Sequence, residues 1–90
     1  MDKKLALAAL ASLGQETRLD IFRLLVKAGA QGVPAGEIAS QLSAVQNTTS
    51  AHLKTLHHAG LVHAERDGRI VRYFADMTGF RDLLVINRAG

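Results

Sequence analysis

Apolar residues recur every three or four positions through the first two thirds of this chain, which is the spacing of one face of an α-helix. Glycine, proline or serine separates the periodic stretches, and the pattern predicts helices over residues 3–13, 16–28, 35–42 and 46–59. The first two helices each have an apolar stripe, formed by Leu5, Ala9 and Leu13 with Leu10 beside it, and by Leu19, Phe22 and Val26 widened by Leu25. The residues expected to point inward are Ile38, Ala39 and Leu42 in the third helix and Thr49, Leu53 and Leu56 in the fourth.

The periodicity changes after Gly60. Residues 61–66 and 69–75 are typical of two β-strands, and the pair Asp67-Gly68 between them indicates a two-residue hairpin turn in which both positions adopt a positive φ. A last helix is predicted over residues 79–87. The whole chain, residues 1–90, therefore predicts one mainly α-helical domain with a small β-hairpin: helix, helix, helix-turn-helix, hairpin, helix. This order is that of a winged helix-turn-helix.

The composition narrows the functional classes. The chain has 90 residues and no cysteine, which excludes disulfides, thiol catalysis and thiolate metal sites. No apolar run approaches the roughly 18 residues of a membrane-spanning helix, and the N-terminus reads as a helix of the mature protein rather than a signal peptide. We therefore expect a cytoplasmic protein.

The predicted helix-turn-helix suggests a role for the fourth helix, because this motif braces one helix for entry into the major groove of DNA. Its exposed first turns hold uncharged side chains that form hydrogen bonds, where a merely solvated helix more often carries Glu and Lys. Gln and Asn can read adenine bidentately, and Ser and Thr donate or accept with few geometric demands. The candidate DNA-binding residues are Gln46, Asn47, Thr48, Ser50, His52 and Lys54.

The hairpin carries the second set of candidates. The net charge is +3, and the basic surplus lies in residues 46–72. Arg66 and Arg69 flank the predicted turn and Arg72 lies further along the returning strand. A basic hairpin beside a recognition helix is expected to act as a wing that contacts the DNA backbone or the minor groove.

Three segments resemble the ArsR/SmtB family of bacterial winged helix-turn-helix repressors. They are ALASLGQETRLDIFRLL over residues 9–25, QNTTSAHLKTL with AGLV over residues 46–56 and 59–62, and the wing with RDGR over residues 66–69 and Tyr73. The resemblance implies a homodimer in which the first and last helices pair and two recognition helices bind a palindromic operator. It also implies repression that an effector relieves. The resemblance places His52 near the groove and leaves two roles for it, contact with the DNA backbone or packing within the protein.

The dimer expectation agrees with the sequence, because the first and last helices are more apolar than a lone core requires. The expected interface residues are Leu5, Leu10, Phe80, Leu83 and Leu84.

The chain departs from this family where relatives sense metals. Residues 33–37 contain no thiol, and the last helix has Asp76 and Asp82 nearby but no histidine. His57 and His58 are adjacent and so diverge on a helix, whereas a zinc site needs three or four convergent ligands. We expect no metal and no cofactor. An effector, if there is one, is an unidentified small molecule, and relatives can carry effector cysteines in a tail beyond the position of Gly90.

Two other functional classes are an enzyme and a protein-binding module. Nothing in the sequence supports an enzyme, because there is no glycine-rich phosphate loop after a strand and no catalytic His/Asp/Ser set. A winged helix used for protein contacts is the remaining alternative. Its mark would be an apolar or acidic face on the fourth helix, and the polar residues of that helix argue against it.

Overall fold

A computed structural model describes residues 3–81 of the chain. Its elements are α1 (Lys3–Leu13), α2 (Glu16–Ala28), a 3₁₀ turn (Gly29–Gln31), β1 (Val33–Pro34), α3 (Ala35–Gln41), α4 (Gln46–His58), β2 (Val62–Asp67) and β3 (Ile70–Ala75). Residues 77–81 are again helical, so this last helix begins two residues earlier than predicted. The predicted class, mainly α with a small antiparallel sheet, is confirmed. Of the expected interface residues, Leu83 and Leu84 lie outside the described residues.

The core lies where α2, α3 and α4 meet the base of the hairpin. Leu25, Ile38, Leu56 and Leu61 are fully buried there. The predicted inward stripe of α4 is confirmed, because Thr49 and Leu53 are each 1% exposed and Leu56 is 0% exposed. The Thr49 hydroxyl donates a hydrogen bond to the carbonyl of Val45 at 3.1 Å, which satisfies the one polar group in that stripe. One face of α4 is thus fixed to the body of the protein.

The expected stripe of α2 was wrong in part. Phe22 and Leu25 are buried as predicted, but Leu19 and Val26 are 38% and 41% exposed, and Ile21 is fully buried in their place. Apolar residues occur on two overlapping stripes of this helix, so its periodicity is compatible with either. Contacts with α1, α4 and β3 select the stripe that contains Ile21.

The buried face of α1 does not coincide with its apolar stripe. Ala9 is buried, but its buried neighbours are Ala6 and Ser12, while Leu13 is half-buried. Small side chains let α1 lie close to α2 and α4. The same orientation turns Leu7 and Leu10 outward, where they are 60% and 54% exposed.

The sheet has one strand more than the sequence predicted. Val33–Pro34, interpreted as a connector, forms β1, and the strand order is β1-β3-β2 with both pairs antiparallel. Val33 pairs with Tyr73 and is 5% exposed. A two-residue strand has too little periodicity to be recognised in a sequence.

The hairpin turn lies one residue further along than predicted. Asp67 pairs with Ile70, so the central positions are Gly68 and Arg69. Gly68 has a φ of +63°, whereas Arg69 keeps a negative φ. This is the type II′ arrangement, in which glycine occupies the one left-handed position. The predicted Asp-Gly turn would have required Asp67 to adopt a positive φ, at a cost that this register avoids.

Backbone hydrogen bonds alone close the turn between α3 and α4. The Ala44 amide donates to the carbonyl of Ala39 at 2.9 Å and the Ser43 amide donates to the carbonyl of Ser40 at 3.2 Å. This pair of bonds is the Schellman motif, and Ser43 takes its left-handed position with a φ of 52°. The motif ends α3 abruptly and directs the chain into α4 within a few residues.

The start of the last helix is packed tightly on the end of α4. Asp76 caps this helix, because its side chain accepts a hydrogen bond from the Gly79 amide at 3.0 Å. A Cβ atom at Gly79 would overlap the carbonyl oxygen of Gly60. Only glycine fits at this crossing. Within residues 3–81, no helix is both long enough and apolar enough to cross a membrane.

Candidate nucleic-acid interface

The outward face of α4 carries most of the candidate base-reading residues. Asn47, Thr48, Ser50 and Lys54 are all exposed, opposite the buried stripe of Thr49, Leu53 and Leu56. Gln46 is the first residue of the helix. The exposed polar face runs along a helix whose other side is anchored in the core. It can therefore present its amide and hydroxyl groups to a partner without moving the fold.

His52 lies beside this face rather than on it. It is half-buried, and an Nη of Arg18 in α2 donates a hydrogen bond to its Nδ1 atom at 3.4 Å. The Nε of Arg18 donates to the carbonyl of Ser12, at the end of α1, at 2.6 Å. Arg18 thereby connects three helices and fixes the flank of α4. The packing alternative for His52 is the one that these contacts favour.

The two faces of the wing differ in character. Side chains that are paired across the hairpin lie on the same face of the sheet. Ala64 pairs with Tyr73 and Arg66 pairs with Val71, so Arg66 and Tyr73 share the face that continues into the core and lies beside α4. Arg66 is exposed near the tip of that face.

Arg72 lies on the other face of the wing. Its cross-strand neighbour is Glu65, and its Nη donates a hydrogen bond to the carbonyl of Gln31 at 3.3 Å. It is half-buried, whereas Arg66 and Arg69 are exposed. Arg69 occupies the turn itself. The three arginines that the sequence grouped together are thus in three different environments, and Arg72 is the one engaged within the protein.

A cleft separates α4 from the wing. It has a volume of about 400 Å³ and is lined by Ser50, Leu53, Lys54, His57, Ala64 and Tyr73. The Nδ1 atom of His57 lies 3.3 Å from the carbonyl oxygen of Val62. Because a carbonyl can only accept, this contact requires His57 to carry a proton on Nδ1. The cleft has an apolar floor and a polar rim.

The expected dimer residues have different surroundings. Leu5 and Leu10 of α1 are 48% and 54% exposed. Phe80 is half-buried, with its ring centroid 5.6 Å from that of Phe22, and it lines an apolar surface groove of about 350 Å³ together with Leu19 and Val26. Phe80 therefore packs within its own chain, whether or not it also contacts a second protomer.

Sequence reasoning did not identify Arg18 or His57 near these surfaces, and it placed Tyr73 in the wing only through the family resemblance. Arg18 and His57 make their contacts with other elements of the fold, so no local signal identifies them. Among residues 3–81, no group of three or more His, Asp or Glu side chains is placed to hold a metal ion.

The sequence of residues 13–65 matches the helix-turn-helix domain family. No curated protein sequence matches the chain. Among solved structures, an ArsR-like transcriptional regulator from Rhodococcus sp. RHA1 is 27% identical, with a TM-score of 0.83, over 97% of this chain and 80% of that one. HlyU from Vibrio cholerae is 26% identical, with a TM-score of 0.77, over 99% and 97%. The homodimeric winged helix-turn-helix DNA-binding domain of Mb0332 from Mycobacterium bovis is 24% identical, with a TM-score of 0.78, over 96% and 78%.

Proposed function

Since the chain belongs to the helix-turn-helix domain family and is a regulator of the ArsR/SmtB type, we propose that it works as a repressor. It acts as a homodimer in the cytoplasm. Each protomer places α4 in the major groove of one half of a palindromic operator. The wing, residues 66–69, contacts the adjacent backbone or minor groove.

The exposed first half of α4 carries this proposal. Asn47 and Thr48 offer hydrogen bonds to base edges without charge, and Ser50 and Lys54 follow further along, where a backbone phosphate contact is expected. A helix whose exposed turns carry amide and hydroxyl groups is suited to base edges, because these groups can both donate and accept hydrogen bonds there. An interface for another protein would instead require an apolar or acidic surface at this place.

Two-fold assembly is supported by the outward side of α1. Leu7 and Leu10 are one helical turn apart and more than half exposed, which is unfavourable for a face that meets only water. Mb0332, which shares the fold, is homodimeric. A dimer also suits the energetics of DNA binding, because one winged helix offers little contact area and two half-sites about 34 Å apart provide the usual affinity.

The proposal is tested by selecting bound sequences from a pool of random duplexes with the full chain. A palindrome with half-sites about one helical turn apart is expected. Enrichment of a single unrepeated site would contradict the dimer. Absence of any enrichment, together with binding to another protein, would favour the protein-interaction alternative.

Asn47→Ala is expected to reduce discrimination between the selected operator and an unrelated duplex by about 1–3 kcal/mol, because a bidentate amide contact to adenine would be lost. Affinities for both duplexes are measured by titration at one salt concentration. Thr55→Val, which removes a hydroxyl from the other flank of α4, serves as the control and should leave discrimination unchanged. If Asn47→Ala discriminates like the wild type, Asn47 does not read a base.

The wing arginines provide a matched pair. Arg66→Ala is expected to weaken binding to every duplex by a similar factor and to lower the slope of log K against log salt concentration by about 1 per contacted phosphate. Arg72→Ala removes the same charge from the opposite face and should change the slope much less. Equal slopes for the two variants would show that the wing face beside α4 has no special role.

A further inference from the structure

The position of the cleft between α4 and the wing has a geometric consequence that rests on the proposed function. If α4 lies in the major groove and the wing in the neighbouring minor groove, the sugar-phosphate strand that separates the two grooves has to cross the space between them. That space is the cleft lined by Ser50, Lys54, His57 and Tyr73. We propose that this cleft binds one phosphate group of that strand in each half-site, and that Tyr73 is a phosphate ligand.

The chemistry of the cleft fits a phosphate group. Lys54 supplies a positive charge from the exposed side of α4, and Ser50, one turn earlier, supplies a hydroxyl donor. Tyr73 supplies a second hydroxyl from the wing. A phosphate oxygen accepts hydrogen bonds only, so one cation and two neutral donors match it. Among residues 3–81, the cleft lining contains no acidic side chain that would repel it.

Tyr73 is also held in place more firmly than the arginines near the tip. It lies in β3, the central strand of the sheet, and pairs with Val33 on one side and Ala64 on the other. Its ring packs against the core while still lining the cleft. A donor fixed by the fold loses little conformational entropy on binding, which makes it a positional marker for the DNA backbone.

His57 is an exposed residue of the cleft lining. Its Nδ1 proton is directed to the carbonyl of Val62, so the ring connects the last turn of α4 to the first residue of β2. This contact sets the distance between the helix and the wing. The phosphate site thus has walls from two elements whose separation is fixed inside one chain.

The test compares the wild type with Tyr73→Phe, which keeps the ring in the core and removes only the hydroxyl. Binding is measured to the selected operator and to a random-sequence duplex of about 24 base pairs, long enough for two half-sites. Tyr73→Phe is expected to weaken binding to both duplexes alike, by about tenfold for a dimer, with an unchanged salt slope because no charge is lost. Ser50→Ala should act in the same direction, and Thr55→Val should match the wild type.

A scan with single methylphosphonate substitutions in the operator locates the phosphate. One position in each half-site should weaken the wild type more than it weakens Tyr73→Phe, because the variant already lacks the Tyr73 hydrogen bond to that phosphate and loses only the contacts of Lys54 and Ser50. Wild-type affinity in both Tyr73→Phe and Ser50→Ala, or additive effects in the scan, would overturn the phosphate site while leaving DNA binding intact. If the wild type binds neither duplex, the proposed function fails as well. If Tyr73→Phe unfolds at a much lower temperature than the wild type, the affinity of Ser50→Ala decides whether the phosphate site exists.

Discussion

A chain carrying both Leu7→Glu and Leu10→Glu is expected to remain folded, to be monomeric, and to bind its operator about a hundredfold more weakly than the wild type. Both side chains point away from the core and are more than half exposed, so their loss removes little packing within the protomer. Two carboxylates in an apolar interface would be desolvated without partners, which opposes association. The lost affinity is the avidity of two linked recognition helices rather than any contact with DNA.

Sedimentation or light scattering gives the mass of the variant, and circular dichroism shows whether it is folded. Lys4→Glu is the control, since it introduces negative charge at another exposed position of the same helix. The control should remain dimeric. A double variant that is still dimeric and binds the operator normally would show that the outward leucines of α1 are not the interface.

Gly79→Ala is expected to destabilise the fold by about 3 kcal/mol, which for a domain of this size lowers the melting temperature by roughly 10 °C or more. The added methyl group would overlap the carbonyl oxygen of Gly60. A backbone atom cannot move aside as a flexible side chain can. The last helix must therefore shift away from the end of α4.

Gly36→Ala is the matched control for this substitution. Gly36 lies in α3 with open space at its Cβ position, so alanine should stabilise the domain by up to about 1 kcal/mol through its higher helix propensity. The two variants add the same methyl group and should move the melting temperature in opposite directions. Similar thermal unfolding of both variants would mean that the crossing of Gly79 over Gly60 is not tight in solution.

The sequence predicted most of the fold because its helices are long, strongly periodic and separated by glycine or proline. The buried stripe of α4 follows directly from Thr49, Leu53 and Leu56, and the polar face opposite it identified the candidate reading surface. The hairpin was recognisable from its strand pattern and Gly68. Each of these features depends on residues that are close together in the chain.

The errors arose where tertiary contacts choose between local alternatives. In α2, Leu19 and Val26 are as apolar as Ile21, and only packing against other elements decides which of them is buried. In α1, alanines form the buried face because the helix lies close to its neighbours, an arrangement that a hydrophobicity pattern does not reveal. The turn register was misjudged because Gly68 can occupy either central position of a two-residue loop.

The same division between local pattern and tertiary contact applies to the candidate site. Asn47, Ser50 and Lys54 lie on one exposed helical face, and that follows from spacing alone. The sequence analysis grouped Arg66 with Arg72, but the strand register places these two residues on opposite faces of the hairpin. The roles of Tyr73 and Arg18 depend on which elements become neighbours in space, and that information is absent from any short segment.

The two ends of α4 are held very differently. Its last turn is closed by hydrogen bonds from Gly60 and Leu61 and is buried through Leu56, whereas among the described residues no side chain caps its first turn. Protection against amide hydrogen exchange should consequently rise along the helix from its beginning to its end. In the proposed complex, the beginning of α4 meets the bases and is free to adjust to the local geometry of each base step, while its other end keeps the helix in register with the wing.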